Sequence, residues 1–339
     1  MTVRYERSLN KESEDLLKPK GDLNFLIDGY ETWLPGDPNA FDIHLREKNK
    51  IMIYHGGTRL ITITCSKNSA NKDKKFVKLS ADKSYSKVGA SYETLMTEWA
   101  SDDLVNKQKE YKNYLIEAAK IAQDKFYNNR KEGWWSNRLS LYFGKNWNVE
   151  KEWLIFDREA VLGFKKSDEK GIFYEKMKEK YLGIRSKFRK DDPKIWGKED
   201  SRKSFGDELD FLAIGPEKEL LCIELKHGSY TSGIYWGPLQ VSVYKDAFHE
   251  VASSISGDIK DIVKQKIDLG LLPAEATKWL PDGKFKEVKA IVVIADFNKK
   301  SSSKDKIKKV QDELINRGSY YVSVAKIEEI GSDLNVIIA

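Results

Sequence analysis

Alternating apolar and polar positions indicate two neighbouring β-strands near the N-terminus. The runs Ile51 to His55 and Thr58 to Cys65 are rich in β-branched and apolar residues and flank Gly56-Gly57. Two glycines can adopt the positive φ angles that a two-residue hairpin loop requires. We therefore predict that residues 1–90 form a small β-rich module, which could recognise a substrate or a partner.

The apolar spacing then changes to that of helices. From Leu104 to Tyr127 apolar residues recur at intervals of three or four, which predicts a long helix. A shorter helix is expected from Trp134 to Phe143, followed by a strand between Glu152 and Phe164. The chain after the first module is therefore expected to mix helices and strands.

The last third of the chain alternates strands and helices. The strands are expected at Leu209 to Ile214, Leu220 to His227, Val288 to Ala295 and Tyr320 to Lys326. The helices are expected from about Pro238, near Asp258 to Ile267, and from Lys304 to Arg317. Interleaved strands and helices predict an α/β domain, a mixed β-sheet flanked by helices, which we assign to residues 91–339.

Composition limits the class of protein. The 339 residues are 40% hydrophobic and 33% charged, enough apolar material for a core and too much for wholesale disorder. Only two cysteines occur, Cys65 and Cys222, without zinc-binding spacing, which fits a reducing compartment. The apolar runs are too short to span a bilayer, so we expect a cytoplasmic protein without membrane contact.

Positive charge is concentrated in one segment. Lys165 to Lys203 contains 14 Lys and Arg against 8 Asp and Glu, a surplus equal to the formal charge of +6 of the whole chain. This basic insertion is either a solvated helix or a surface that contacts phosphates. If the second interpretation is right, Lys187, Arg189 and Lys190 are expected to bind a nucleic-acid backbone.

The residues with the clearest chemistry lie on the hairpin formed by the first two strands of the last third. Side chains alternate along a strand, so Glu224 and Lys226 share one face. Asp210 on the partner strand stands among apolar residues, where an ionised carboxylate is costly unless it is paired or bound to a metal. Mg²⁺ or Mn²⁺ prefers carboxylate and carbonyl oxygens, and a lysine can position and activate a water.

An acid on one strand followed by Glu-x-Lys on the next resembles the PD-(D/E)XK nuclease superfamily. Gln240-Val-Ser-Val-Tyr244 in the following helix resembles the Gln-x-x-x-Tyr motif of its RecB-type branch. Together these resemblances cover about residues 105–330. They imply a restriction-endonuclease-like fold for the C-terminal domain and hydrolysis of phosphodiester bonds with Mg²⁺ or Mn²⁺.

The resemblance also implies roles for single residues. Asp210, Glu224 and the Leu225 carbonyl would hold the metal, Lys226 would be catalytic, and Gln240 and Tyr244 would lie beside the metal. The chain departs from the pattern at Leu209, where proline is common, and its helical metal-binding acid is not obvious. Two residues are candidates for that acid. Glu132 is preferred and Glu117 is second.

Trp236 precedes the motif helix and could stack a nucleobase, although tryptophans are mostly core residues. The leading functional prediction is a metal-dependent nuclease that acts on DNA rather than RNA in restriction, repair or defence against mobile elements. Three alternatives stay open. The chain could be an inactive nuclease-fold protein that binds nucleic acid or a protein, or a β-rich interaction protein. Asp210, Glu224 and Lys226 could also be an ordinary cross-strand ion pair on an exposed sheet face. A homodimer or a partner protein is compatible with each.

Overall fold

The structure is a computed structural model that describes residues 3–29, 33–34, 41–67, 75–122, 131–197, 205, 208–298, 300–331 and 333–338. Residues 123–127 of the predicted long helix and residues 198–203 of the basic insertion lie outside this part of the chain. None of the described helices combines the length and the apolarity needed to cross a bilayer.

The described chain contains both helices and strands throughout its length. The strands are β1 Val3–Arg4, β2 Asp42–Arg46, β3 Lys50–His55, β4 Thr58–Lys67, β5 Lys75–Ala81, β6 Glu98–Ala100, β7 Leu154–Ala160, β8 Gly163–Phe164, β9 Leu209–Ile214, β10 Leu220–His227, β11 Val288–Ala295, β12 Ser323–Ile330 and β13 Asp333–Ile338. The α-helices are α1 Lys11–Leu17, α2 Ser86–Ser91, α3 Ser101–Leu104, α4 Gln108–Ala122, α5 Glu132–Tyr142, α6 Ser167–Asp191, α7 Pro193–Trp196, α8 Thr231–Asp268 and α9 Ser303–Asn316.

The contacts divide the chain into two compact units. The N-terminal unit comprises Glu6–Lys151 and Asp258–Lys278, and the C-terminal unit comprises Met1–Tyr5, Glu152–Gly257 and Trp279–Ala339. The division therefore does not fall at residue 90, where the sequence pattern suggested it. Residues 91–151 group with the N-terminal strands instead.

The N-terminal unit is built on a five-stranded antiparallel sheet in the order β2-β3-β4-β5-β6. The predicted hairpin is confirmed as β3 and β4, and Gly56 between them has a φ of 62°. Two tyrosines explain why α4 belongs to this unit. Tyr114 donates a hydrogen bond to the Leu60 carbonyl at 2.8 Å, and Tyr111 donates one to the Leu26 carbonyl at 3.0 Å. Both tyrosines are fully buried in its core.

The C-terminal unit contains a six-stranded mixed sheet in the order β13-β12-β11-β10-β9-β7. The β10–β11 and β11–β12 pairs are parallel, and the remaining pairs are antiparallel. This confirms the predicted α/β class. The bounds of β9, β10 and β11 agree with the prediction because their apolar runs are bordered by turn residues.

The strand predicted from Tyr320 to Lys326 is β12, Ser323–Ile330, and two predicted helices form one element. The helix expected from about Pro238 begins at Thr231 and continues through the second predicted helix, so both belong to α8. Pro238 lacks an N–H and removes one hydrogen bond from this helix. Ile234, Leu239 and Val241 are nevertheless fully buried around it, and their packing stabilises the helix on both sides of the proline.

Candidate active site

The β9–β10 hairpin brings the predicted motif residues together. Its turn is closed by two backbone hydrogen bonds, Gly215 N to the Glu219 carbonyl and Lys218 N to the Gly215 carbonyl, both 3.0 Å. The paired register runs from Leu220–Ile214 to Ile223–Phe211. The two strands are no longer paired beyond this point, where Asp210 and Glu224 follow.

Asp210 bonds to the partner strand through its side chain at the end of this ladder. Leu225 N donates a hydrogen bond to Asp210 Oδ2 at 2.7 Å. The N–H and C=O groups of one strand residue point to the same side of the strand. The Leu225 carbonyl therefore faces the Asp210 side of β10.

Glu224 and Lys226 form a buried ion pair. Lys226 Nζ lies 2.6 Å from Glu224 Oε1, and the side chains are 8% and 1% exposed, respectively. The alternative of an ion pair on an exposed sheet face is therefore wrong for these two residues. A buried pair offers little net stability compared with apolar residues of the same size, because both charges lose their hydration.

Asp210, Glu224 and Lys226 form a charged cluster in which ionisation of Glu224 is unfavourable. Burial and the neighbouring negative charge of Asp210 raise the pKa of Glu224 well above its usual value, although Lys226 opposes the shift. Glu224 Oε2 is buried and accepts no hydrogen bond from the described residues. The Asp210 and Glu224 carboxylates and the Leu225 carbonyl are oxygen groups of the kind that a divalent cation prefers as ligands.

The cluster contains two acids rather than three. Within the described ranges, no group of three or more His, Cys, Asp or Glu side chains could hold a metal ion. Glu132 is the first residue of α5, and Glu117 lies in α4 and accepts a hydrogen bond from the Tyr92 hydroxyl at 2.8 Å. Both belong to the N-terminal unit. The resemblance implies a third acid, on a helix, beside Asp210 and Glu224. The described chain contains no cluster of three acids of this kind.

Helix α8 lies against the sheet face that carries Lys226. Its Gly237 packs so closely that a Cβ atom there would be 3.1 Å from Val292 Cγ1 and 3.7 Å from Lys226 Cγ. Gln240 and Tyr244 follow on the same helix, one turn apart. Gln240 is half-buried, whereas Tyr244 is fully buried and its ring contacts Tyr174 edge-on at 6.4 Å.

Glycines near the motif were not singled out from the sequence. A side chain at Gly237 would push α8 away from the sheet, and a Cβ at Gly228 would overlap the Asp296 carbonyl oxygen. Gly228 also donates a backbone hydrogen bond to the Ala295 carbonyl at 2.7 Å. The position of Gly228 directly after the motif strand could have indicated this close contact, because glycine permits close approach of two backbones.

The residues expected to contact nucleic acid have different environments. Lys187 forms an ion pair with Glu313 at 3.0 Å, whereas Lys190 is exposed in the last turn of α6. The Arg189 guanidinium lies 5.8 Å from the centre of the Trp236 ring. Trp236 is 8% exposed and packs against Trp196 at 5.3 Å, so its buried ring argues against the expected base stacking.

Two further side chains near the motif have local roles. His227 Nδ1 lies 2.7 Å from the Ser229 hydroxyl, which is a hydrogen bond within its own turn. Cys222 is fully buried, and burial raises the pKa of its thiol above the usual range. A thiol of this kind is a poor nucleophile. Asp210, Glu224 and Lys226 therefore remain the candidate residues of this site.

Comparison with protein-family models, with curated proteins and with solved structures found no match to this chain.

Proposed function

We propose that the chain is a divalent-metal-dependent nuclease that hydrolyses phosphodiester bonds in DNA. The observation that supports it most is the buried Glu224, whose carboxylate lies beside Asp210 and 2.6 Å from Lys226 Nζ. Such an arrangement costs stability because buried charges lose their hydration, and buried acids with a shifted pKa cluster at functional sites. The mixed sheet and the α8 helix that packs on it are compatible with a restriction-endonuclease-like domain.

Asp210, Glu224 and the Leu225 carbonyl are the groups that would hold Mg²⁺ or Mn²⁺. The ion, when bound, supplies positive charge that lowers the pKa of a water and stabilises the charge that develops on the phosphate. The hydrogen bond from Leu225 N keeps the Asp210 carboxylate oriented. Water or phosphate oxygens would have to complete the coordination, because Mg²⁺ takes six ligands in near-octahedral geometry.

Lys226 is the group proposed to act on the attacking water. Its ammonium is held by Glu224 and therefore stays in one orientation inside the site. A fixed ammonium can hold the water by a hydrogen bond and offset negative charge on the phosphate. Gln240 is half-buried on the helix that covers this face, and its amide is proposed to position the substrate phosphate.

Substrate binding is proposed to use positive charge outside the cluster. Lys190 is exposed, and the last turn of the helix that carries it also contains Arg189. Contacts of this kind are independent of sequence and sensitive to salt. The N-terminal unit is proposed to recognise the substrate or a partner.

One observation favours a second candidate function. Because the described chain has no three-acid cluster, the protein could bind nucleic acid or another protein through a nuclease-like fold without cleaving it. The two candidates make different predictions for metal-dependent cleavage. Only the first requires it.

The test combines calorimetric titration of the full chain with Mn²⁺ and incubation with plasmid, linear duplex, single-stranded DNA and RNA. The proposed nuclease binds Mn²⁺ and degrades at least one DNA substrate only when a divalent ion is present. Metal binding without cleavage of any of the four substrates would favour the binding protein. Absence of both would contradict the metal-dependent nuclease.

A further inference from the structure

The C-terminal unit contains a groove between helix α9 and strands β11 and β12. It has a volume of about 310 Å³. Its floor is apolar and includes Ile294, Ile307 and Val324. Its rim carries cationic and aromatic side chains, namely Lys304, Lys308, Lys326, Phe297 and Tyr321.

The groove lies on the sheet face that carries Lys226. Lys226 is paired with Ile294 across β10 and β11, and Ile294 is paired with Lys326 across β11 and β12. Residues paired in neighbouring strands present their side chains on the same face. Two strand spacings separate Lys226 from Lys326, about 10 Å. The groove therefore lies on the same face of the sheet as Lys226, at a distance of about two strand spacings.

The rim of the groove carries excess positive charge. Lys304, Lys308 and Lys326 form no ion pair with any carboxylate of the described chain, and Asp312 is the acidic residue among the lining side chains. Lys326 Nζ lies 4.9 Å from the centre of the Phe297 ring. The positively charged rim favours an anionic occupant.

The exposed ring of Tyr321 indicates which class of anionic ligand fits the groove. Tyr321 is 56% exposed and lines the groove beside its apolar floor. Bases of single-stranded nucleic acid stack on such rings while lysines bind the adjacent phosphates. Bases inside a duplex are already stacked on one another and cannot do so. An apolar floor, an exposed ring and unpaired lysines together match an unpaired nucleotide.

We propose that this groove binds an unpaired nucleotide of single-stranded DNA next to the phosphodiester bond to be cut, with the base on Tyr321 and phosphate near Lys304 and Lys308. This inference rests on the proposed nuclease function and adds a substrate class to it. The preferred substrate is then a single strand or a duplex with a single-stranded end. Blunt duplex ends should bind more weakly.

The test measures binding of the full chain to a fluorescein-labelled oligothymidylate and to a blunt duplex by fluorescence anisotropy in EDTA, which prevents cleavage. Wild type should bind the single strand more tightly. Tyr321→Ala should weaken that binding by roughly tenfold, the size of one lost stacking contact, and Tyr321→Phe should retain it. Lys308→Gln should lower the slope of binding against salt by about one, whereas Lys309→Gln, a neighbouring exposed lysine outside the groove, is the control.

The possible results test nucleotide binding in the groove independently of the proposed nuclease activity. If both Tyr321→Ala and Lys308→Gln bind the single strand as wild type does, the groove is not the nucleotide-binding site, whatever the cleavage activity. Wild-type binding with the expected variant effects but no metal-dependent cleavage would support the groove and contradict the nuclease. Tighter binding of an oligouridylate or of a polyglutamate peptide would overturn DNA as the occupant. Thermal denaturation of each variant checks that it is folded.

Discussion

Leu225 N donates a hydrogen bond to Asp210 Oδ2 at 2.7 Å, across a separation of 15 residues. Leu225 lies between Glu224 and Lys226. This bond therefore connects Asp210 on β9 to the backbone of the Glu-x-Lys segment on β10. It also satisfies a backbone N–H at the point where the paired register of β9 and β10 ends. The position of Asp210 therefore depends on the backbone of the very strand that carries the other two groups.

Asp210→Asn should abolish Mn²⁺ binding and DNA cleavage while the protein stays folded. The asparagine removes the negative charge, but its side-chain oxygen can still accept the Leu225 hydrogen bond. Calorimetry, cleavage assays and circular dichroism measure the three properties. Full cleavage by this variant would contradict the assignment of Asp210 as a metal ligand.

Lys226→Ala should separate catalysis from metal binding. The ammonium is proposed to position and activate water, so its loss should lower cleavage by roughly 10²–10⁴-fold. Mn²⁺ binding should be retained or tightened, because a competing positive charge is removed. Lys286→Ala, an exposed lysine paired with Glu217 at 3.4 Å, is the matched control and should cleave normally. Equal loss in both variants would argue against a special role for Lys226.

Glu224→Gln should remove the stabilisation that a bound metal provides. A ligand that binds only the folded state stabilises it by about 2.7 kcal/mol at a concentration of 100 times its Kd. Thermal denaturation with and without Mn²⁺ should therefore show a shift for wild type and none for Glu224→Gln. Glu217→Gln changes an exposed glutamate of the same hairpin and should keep the shift. A shift of wild-type size in Glu224→Gln would exclude Glu224 as a ligand.

Lys190→Gln and Lys187→Gln should differ in their effects on DNA binding. Lys190 is exposed, whereas Glu313 already neutralises much of the charge of Lys187. Lys190→Gln should therefore lower the slope of binding against salt concentration by about one, and Lys187→Gln by less. Binding titrations at several salt concentrations give both slopes. Equal slopes for the two variants and wild type would make the described part of the basic insertion a solvated surface.

A separate prediction concerns the stability of the N-terminal unit. Burial opposes ionisation of Asp82, but the Ser84 backbone N–H and the Arg59 guanidinium donate hydrogen bonds to it and lower its pKa below 3.8. An acid with a lowered pKa in the folded state stabilises that state above its unfolded pKa and loses this contribution as the pH falls through the folded value.

Asp82→Asn should therefore destabilise the protein at about pH 7 by roughly 0.5 kcal/mol, a small value because Arg59 is half-exposed and the asparagine oxygen can still accept the Ser84 hydrogen bond. The difference from wild type should shrink as the pH falls below 3.8, through the lowered pKa of Asp82 in the folded state. Urea denaturation over this pH range measures it. A difference that stays constant with pH would show that the charge of Asp82 is not its cause.

The sequence by itself determined three strands of the C-terminal sheet and the order of the motif residues. The bounds of β9, β10 and β11 follow from apolar runs between turn residues, which are local signals. Glu224 and Lys226 share a face because side chains alternate along any strand. The i, i+4 spacing of Gln240 and Tyr244 likewise required only that the segment be helical.

Only the tertiary structure decided which segments pack together and which charges are buried. Residues 91–151 belong with the N-terminal strands because distant partners, such as Tyr114 and Leu60, meet in one core. The continuity of α8 past Pro238 depends on the packing of its apolar side chains. Burial of Glu224, the ion pair of Lys187 and the enclosure of Trp236 also arise from such contacts. Contacts between residues far apart in sequence have no local pattern, so these features required the fold itself.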